Sequence, residues 1–363
     1  MKWITLQLLN GKEVKEMSFK FEDIEVAISR EAPYSSPGGF GNILLIDITG
    51  EKALKTYYDM AEVEKDFSSK PEVLRMAKIC FNQADKQGNK ISINALKILG
   101  ITPGEEPEQE YDAIGTALAN DSDYVWILST DVEDDKLKTY LSDFAEANMK
   151  LYSTLITDES TFNFKDKMYT IPNRAEKNDD LYKRVDCIAA SCAARATGSY
   201  NPKFLNIVGV EELSDKQKTL EAYSKGINIY VQSGNFKSYR DGFVGKQGLY
   251  IDDVVNPLYL STMIKDNLNT LLHYEEKIAF DYAGFALIEN RIITALEFCT
   301  RADVIKKSID GVGLYKVTMP NPAQINPTDL SERILRGIIV EYTPSIPING
   351  IKPIKLNIRL EDL

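Results

Sequence analysis

Between residues 42 and 156 the sequence switches repeatedly between two kinds of segment. NILLID, KISINALKIL, YVWILST and LYSTLIT are short and rich in apolar residues, as buried strands are. MAEVEKDFSSKPEVLRMAKICFNQ, PEQEYDAIGTALAND and DVEDDKLKTYLSDFAEANMK are longer and mix charged with apolar residues, as helices with one buried face do. Strand and helix in turn predict crossover connections, and crossovers place successive strands parallel. The expected fold is α/β, with a largely parallel sheet in the body. Pro71 breaks the first helical stretch, since proline has no N–H to give and its ring clashes with the preceding turn.

The alternation continues less regularly afterwards. Residues 178–197 read as a helix ending at Gly198, and KFLNIVGV as a strand. SDKQKTLEAYSKG reads as a helix closed by Gly226, and INIYVQS as a strand. VNPLYLSTMIKDNLNTLLHYEE and YAGFALIENRIITALEFCTRADVI are long amphipathic helices, and 311–330 is a Gly/Pro/Asn-rich connection. Gly226, Gly245 and Gly248 fall at turn or cap positions. Asp252 and Asp253 precede a helix and suit its cap, with Pro257 near its first turn. Ile264, Leu268, Leu271 and Leu272 share one helical face and belong to a core.

Both ends of the chain read as β. Ile4, Leu6 and Leu8 alternate with polar residues ahead of Asn10-Gly11, the strongest short hairpin signal, and KEVKEMSF follows. A second strand run at 22–30 leads into a Pro/Ser/Gly-rich loop. At the other end GIIVEYTPSIPI runs to Asn349-Gly350. Ile354, Leu356, Ile358 and Leu360 then alternate with Lys355, Asn357, Arg359 and Glu361. A strand needs a neighbour for its backbone groups and a surface for its apolar face. Asn349-Gly350 offers one solution, a local hairpin that turns the last strand back onto residues 338–348.

Composition narrows the function. The 363 residues are 44% hydrophobic and 27% charged, with a net charge of −11. A duplex-binding protein needs a basic face, and no Lys/Arg run supplies one, so no direct nucleic-acid partner is expected. No apolar run approaches the roughly twenty residues of a membrane span, and the N-terminus lacks the pattern of a cleaved leader. Cys80, Cys187, Cys192 and Cys299 form no CxxC pair and read as reduced, mostly buried thiols.

The search for catalytic chemistry ends nearly empty. His273, the one histidine, sits at a helix end where a partly charged imidazole meets the negative end of the dipole. No GxSxG elbow accompanies it. In SPGGFGNILLID an apolar strand follows the glycines, where a phosphate cradle needs a helix. Gln247 follows Gly245-Lys246 where a P-loop needs a hydroxyl, and GVGL at Gly311–Leu314 is a lone GxG. Asp131, Glu133 and Asp135 are spaced like the start of an EF-hand, but Lys136 and Ser142 stand where the turn glycine and the bidentate acid belong. An acidic first helical turn capped by Thr130 or Asp131 accounts for the run. No catalytic, cofactor or metal-binding residue is nominated. STDVEDD, after the strand YVWIL, is the only loop on which an α/β enzyme of hydrolase type would place a nucleophile or paired acids.

GSYNPKFLNIVGV, then KGINIYVQSG, DGFVGKQGLYIDDVVNPLYLSTMIKDNLNTLL and KIAFDYAGFALI follow in order, with TYYDMAEVEKDFSSKPEVLRMAKICFNQ upstream. This order resembles the contractile-tail sheath proteins of phages. In particular it resembles a poorly characterised phage family with a GVN-Y…G…G-x-x-ID…L…KIP-x-x-xG pattern. The resemblance covers roughly residues 20 to 300. It departs at Tyr259, where the family's DWL element has Trp, and at Ala279, where a Pro follows Lys-Ile.

The resemblance implies a structural subunit and no enzyme. Such subunits polymerise as stacked hexameric rings around a tail tube and contract to drive the tube through the host envelope. The implied partners are further copies of the chain, the tube protein, and the baseplate and tail terminator proteins. The implied location is a virion tail or bacteriocin particle assembled in the host cytoplasm. The implied organisation is an N-terminal β arm (1–20), α/β domains at 21–175 and 176–340, and a C-terminal β arm (341–363). The family joins neighbours by arms that add strands to one another's sheets. That would place Ile4, Leu6, Leu8, Ile354, Leu356, Ile358 and Leu360 between subunits, the second solution for the closing strand. An α/β enzyme and another tail or baseplate component are the alternatives.

Overall fold

A computed structural model describes residues 39–102, 114–118 and 121–350. The α/β expectation holds. The body is built on a six-stranded mixed sheet made of β1 (Asn42–Asp47), β2 (Lys52–Tyr57), β5 (Ala95–Gly100), β6 (Trp126–Ser129), β7 (Leu151–Ile156) and β8 (Thr170–Arg174). Its order is β2-β5-β1-β6-β7-β8, parallel throughout except for β2, which runs antiparallel to β5. Every residue of the five parallel strands is buried, which is why those segments read as apolar runs and not as alternating ones. A short ribbon of β3 (Gln83–Ala84) and β4 (Lys90–Ile91) precedes β5.

The helices fall where the sequence predicts. Asp59 caps α1 (Met60–Asp66), and α2 (Pro71–Phe81) starts with its proline in the first turn, where the missing N–H has no partner to lose. Residues 114–118 are helical (α3). The cap of α4 (Asp135–Asn148) is Asp134, which accepts from the N–H groups of Lys136 and Leu137. The cap is therefore neither Thr130 nor Asp131, the two expected; Asp131 closes the preceding turn by accepting from Glu133 and Asp134.

The reading of 178–197 as one helix is wrong in its first half. Asn178, Asp179 and Asp180 are turn formers, and Asp179 takes a left-handed φ of 54°. They close a ribbon of β9 (Lys177–Asn178) and β10 (Leu181–Tyr182). Only α5 (Ile188–Ala193) is α-helical, after a 3-10 turn at Val185–Cys187. KFLNIVGV is no strand either. Pro202 opens a 3-10 turn capped by Asn201, and Gly209 has φ +84°, so Leu205 and Ile207 reach the core from irregular backbone.

Next come α6 (Lys216–Ser224), capped by Asp215, and a hairpin of β11 (Ile229–Ser233) and β12 (Phe236–Arg240). Gly226, at φ +81°, stands just past α6 as expected. Two long helices follow, α7 (Ile251–Tyr274) and α8 (Tyr282–Arg301). Asp252 and Asp253 lie inside the first turn of α7 and not ahead of it, and Asp253 accepts from the Tyr250 N–H. Pro257 sits deeper than the first turn, inside the helix. The 311–330 connection holds a strand, β13 (Tyr315–Thr318), which pairs antiparallel with β14 (Ile339–Tyr342) around the short helix α9 (Pro327–Glu332).

The buried side chains form two principal clusters. The larger runs from Ile43 to Leu258 and wraps the sheet. The smaller joins Leu260 and Ile264 of α7 to Ile292, Ala295, Leu296 and Cys299 of α8 and to Val304 and Ile305, with β13 and β14 packed on it. Of the predicted core face, Ile264 and Leu271 are buried and Leu268 packs against the cluster, whereas Leu272 is 44% exposed at the edge of the stripe.

Gly245 shows how tightly the body is closed. Its N–H donates to the Thr170 carbonyl, and a Cβ there would lie 2.0 Å from the Phe164 carbonyl oxygen. Gly245→Ala is expected to cost about 1–3 kcal/mol, the usual penalty for overpacking a closed site. Urea unfolding of the two proteins measures it; equal midpoints and slopes would mean that the site relaxes freely.

Candidate functional site

In an open parallel sheet, ligands bind outside the carboxyl ends of the strands, where the strand order reverses. Here that place lies beside β1, β5 and β6, and the chain's own side chains fill it. Asp47, at the end of β1 and fully buried, accepts from Thr49 N–H (3.1 Å) and Thr49 Oγ1 (2.8 Å) and faces Lys70 Nζ at 3.7 Å. Beside it the Arg184 guanidinium, 2% exposed, donates to the carbonyls of Ser129 and Thr130, at the end of β6. It also pairs with Asp186 and, at 3.1 Å, with Glu72 of α2. Arg184 therefore gives otherwise open strand ends their hydrogen-bond donors from within the fold.

Further along the same edge, a cleft of about 520 Å³ opens past β7 and β8. It is lined by charge, including Asp158, Arg174, Glu176, Lys177 and Lys218, and the charges answer each other. Asp158 pairs with Arg174 (2.7 Å) and Lys218 (2.8 Å). Glu176 pairs with Lys183 (2.5 Å) and accepts from the N–H groups of Ser214 and Asp215. Burial raises the Glu176 carboxyl, but the bonds from Lys183 and Ser214 outweigh it and hold it at about 2. The hydrogen bonds from Arg174 and Lys218 hold Asp158 below its ordinary value, and pairing with Asp158 holds Lys218 above its own. General acid–base catalysis needs a group near its switching point at working pH. These groups are pinned in their charged forms.

The enzyme-like loop STDVEDD is spent the same way. Asp134 caps α4, and Asp135 accepts from Lys138, Ser160, Thr161 and Phe162. Glu133 accepts from Tyr182 and Lys177. Among the described residues no group of three or more His, Cys, Asp or Glu is arranged to hold a metal, and no helix is long and apolar enough to cross a membrane. The four cysteines are buried and free, as expected. His273 lies in the last turn of α7, with Nδ1 2.8 Å from the Asn269 carbonyl.

The other candidate surface is the C-terminal module. Its β13–β14 sheet has two strands of four residues each, small for independent stability. Exposed large apolar side chains concentrate around it: Ile309 (102%), Val312, Ile334, Ile339, Ile346 and Ile348 (75%). The body sheet is guarded by comparison. Its edge strand β2 is irregular between Lys52 and Lys55, and both lysines face Asp66, devices that discourage edge pairing. The nominated interface residues Ile4, Leu6, Leu8, Ile354, Leu356, Ile358 and Leu360 lie outside the described residues. Only the roots of their segments are described. Phe40 packs edge-on against Tyr259 with ring centroids 5.2 Å apart, and Asn349 accepts from Asn201 Nδ2 at 2.8 Å.

Sequence reasoning missed Arg184, Glu176 and Arg174. The signal for Arg184 was the charged pair in KRVD set directly against the apolar run CIAASCAA, since charges so placed are buried only when paired.

Glu176→Gln is expected to lower stability by about 1.5–3 kcal/mol at pH 7, the range for hydrogen bonds to a charged group. The folded value of about 2 lies below the ordinary 4.5, so this contribution is complete above pH 4.5 and is lost as pH falls through 2. Urea unfolding of both proteins at pH 7 and pH 3 should show the gap closing with acid. A gap that is constant or grows would show that Glu176 is not held in its ionised form.

No family model matches the chain, and no curated protein matches it. Solved structures do. A chain of the anti-feeding prophage (AFP) baseplate superposes with a TM-score of 0.64 at 11% identity, covering 95% of this chain and 100% of that one. The AFP helical sheath in its contracted state gives 0.63 at 12% identity, covering 95% and 99%. The sheath tail protein of Listeria innocua gives 0.54 at 10% identity, covering 86% and 93%. Over nearly its whole length, this chain has the fold of the subunits of contractile sheaths.

Proposed function

We propose that the chain is the sheath subunit of a contractile tail or injection particle. It polymerises as stacked hexameric rings around an inner tube and shortens to drive that tube through an envelope. The observation that carries this reading is the superposition of 95% of the chain on 99% of a contracted-sheath subunit. The filled carboxyl edge of the sheet supports it, because the position where an α/β enzyme holds its ligand is taken by Arg184, Asp47 and Lys70. The subunit works without nucleotide or catalysis. Its extended array is metastable and its contracted array lower in free energy, so contraction needs release and no fuel. Its partners are its own copies, the tube protein, and the baseplate and tail terminator. Its place is the tail of a virion or of a phage-derived bacteriocin, assembled in the producing cell's cytoplasm.

Neighbours join by strand addition. The N-terminal arm (Ile4, Leu6, Leu8) and C-terminal arm (Ile354, Leu356, Ile358, Leu360) lengthen the β13–β14 sheet of adjacent copies. What favours that sheet is its small size, its exposed Ile339 and the lysine-guarded irregularity of β2, which steers pairing away from the body. The apolar Ile346 and Ile348, exposed along the way to the C-terminal arm, gain cover in the polymer. A place in the baseplate is the second reading, favoured by the match to an AFP baseplate chain.

Negative-stain electron microscopy of the purified chain tests the function. Long striated tubes are expected; small discrete rings only, even with tube protein present, would favour the baseplate. Deleting residues 351–363 should leave the body folded, with the circular dichroism and melting of the full chain, while abolishing tubes. Leu356→Pro should act likewise, since proline removes a ladder donor. Tubes that form as before in both variants would rule out the C-terminal arm as the joint.

A further inference from the structure

The body and the C-terminal module meet along a narrow seam, and α7 crosses it. Ile251, Val254, Val255 and Leu258 of α7 are buried in the body core, while Leu260, Ile264 and the residues beyond belong to the module core. The change of allegiance falls between Leu258 and Leu260, directly after Pro257. Proline has no N–H for the carbonyl four residues back, so the helix lacks one rung at this point, and interior prolines are where helices bend. A core helix shared by two clusters gains nothing from a missing rung if the clusters move as one.

Other contacts between described residues also cross the seam. At Gly198 the body backbone lies so close to the module that a Cβ would meet the Ala302 carbonyl oxygen at 2.2 Å. The buried Val304 side chain would meet the same Cβ at 2.7 Å, but Gly198 brings no side chain of its own to interlock, so the point acts as a pivot. Two further contacts sit at the roots of the terminal segments. The edge-on Phe40–Tyr259 pair joins a residue packed on the body core to one packed on the module core. The Asn201–Asn349 hydrogen bond ties the body to the end of the described chain. Among the described residues these two contacts lie nearest to the two terminal segments.

We propose that α7 is a hinge at Pro257, pivoting at Gly198, with Phe40–Tyr259 and Asn201–Asn349 as latches that open when a terminal segment is pulled. The device belongs to the single chain and stands whether or not the chain is a sheath subunit. Two discrete packings of one seam, with different contacts at the latches, are the usual form of such a device.

Pulsed electron–electron distance measurement on the full chain tests it. The four native cysteines are buried, so spin labels report from introduced ones. One pair, Lys86→Cys with Ile309→Cys, spans the seam between exposed positions; a control pair, Lys86→Cys with Lys225→Cys, stays within the body. Labelled chains are diluted in unlabelled chain, so that any polymer contributes no distances between copies, and polymer formation is scored separately by microscopy. The cross-seam distribution is expected to be wider than the control. Pro257→Ala, which restores the missing N–H, should narrow it towards the control width, and Asn349→Ala, at the exposed end of the described chain, should widen it. A cross-seam distribution as narrow as the control overturns the hinge without any variant. A wide distribution that Pro257→Ala leaves unchanged overturns its placement at Pro257.

Discussion

The guanidinium of Arg184 holds the body together where a parallel sheet is weakest. Parallel strands bring their carboxyl ends to one edge, and in open α/β sheets that edge is where ligands bind. Here Arg184 donates to Ser129 and Thr130 and is neutralised by Asp186 and Glu72, so β6, α2 and the turn before α5 converge on one buried charge. Removing one partner of such a buried set typically costs about 3–5 kcal/mol, because the remaining charge stays in a dry place. The cluster therefore fixes the spacing of sheet and helices and fills the carboxyl end of β6 from within the fold. Its neighbours along the edge follow the same rule: Glu176, Asp158 and Asp135 are each held ionised by donors from another segment.

How much of this was legible in the sequence depends on where each element's stability comes from. β1, β6, β7, α2 and α4 were readable because local pattern and tertiary role agree: buried parallel strands are continuously apolar, α2 starts on Pro71, and α4 follows the acidic turn that holds its Asp134 cap. The failures came where irregular backbone serves a long-range contact. Leu205 and Ile207 looked like strand residues because they are buried, yet Pro202 and Gly209 shape the chain around them. The first half of 178–197 looked helical until the turn chemistry of Asn178-Asp179-Asp180 is weighed. β13 was hidden because its partner β14 is more than twenty residues away, across α9. KRVD signals that Arg184 is paired, but its long-range partner was hidden for a deeper reason. Arg184 and Glu72 are 112 positions apart, and no local period announces such a pair.

The two parts of the chain face opposite demands. The body buries its strands on both faces, guards its edge with Lys52 and Lys55, and satisfies its charges internally. The C-terminal module leaves a two-stranded sheet and a run of apolar side chains in the open. In a solitary protein such a surface invites aggregation. With a net charge of −11, random encounters between copies are repulsive at long range, so association requires a contact specific enough to overcome the repulsion.

The proposed strand addition would meet that requirement and would suit a moving array. Its hydrogen bonds run between backbones, so they hold through changes of orientation that would break an interface of interlocked side chains. A module whose sheet is completed by its neighbours is also ordered by them, so each added copy stabilises the one before it. The demand then passes to the joint between module and body. If the sheet contacts between copies stay fixed while the rings turn, the rotation must be absorbed elsewhere, either in the segments leaving Phe40 and Asn349 or within the subunit. The proposed hinge at Pro257 lies where α7 passes from one core cluster to the other, and Phe40 and Asn349, the roots of the two terminal segments, are fastened across the same seam.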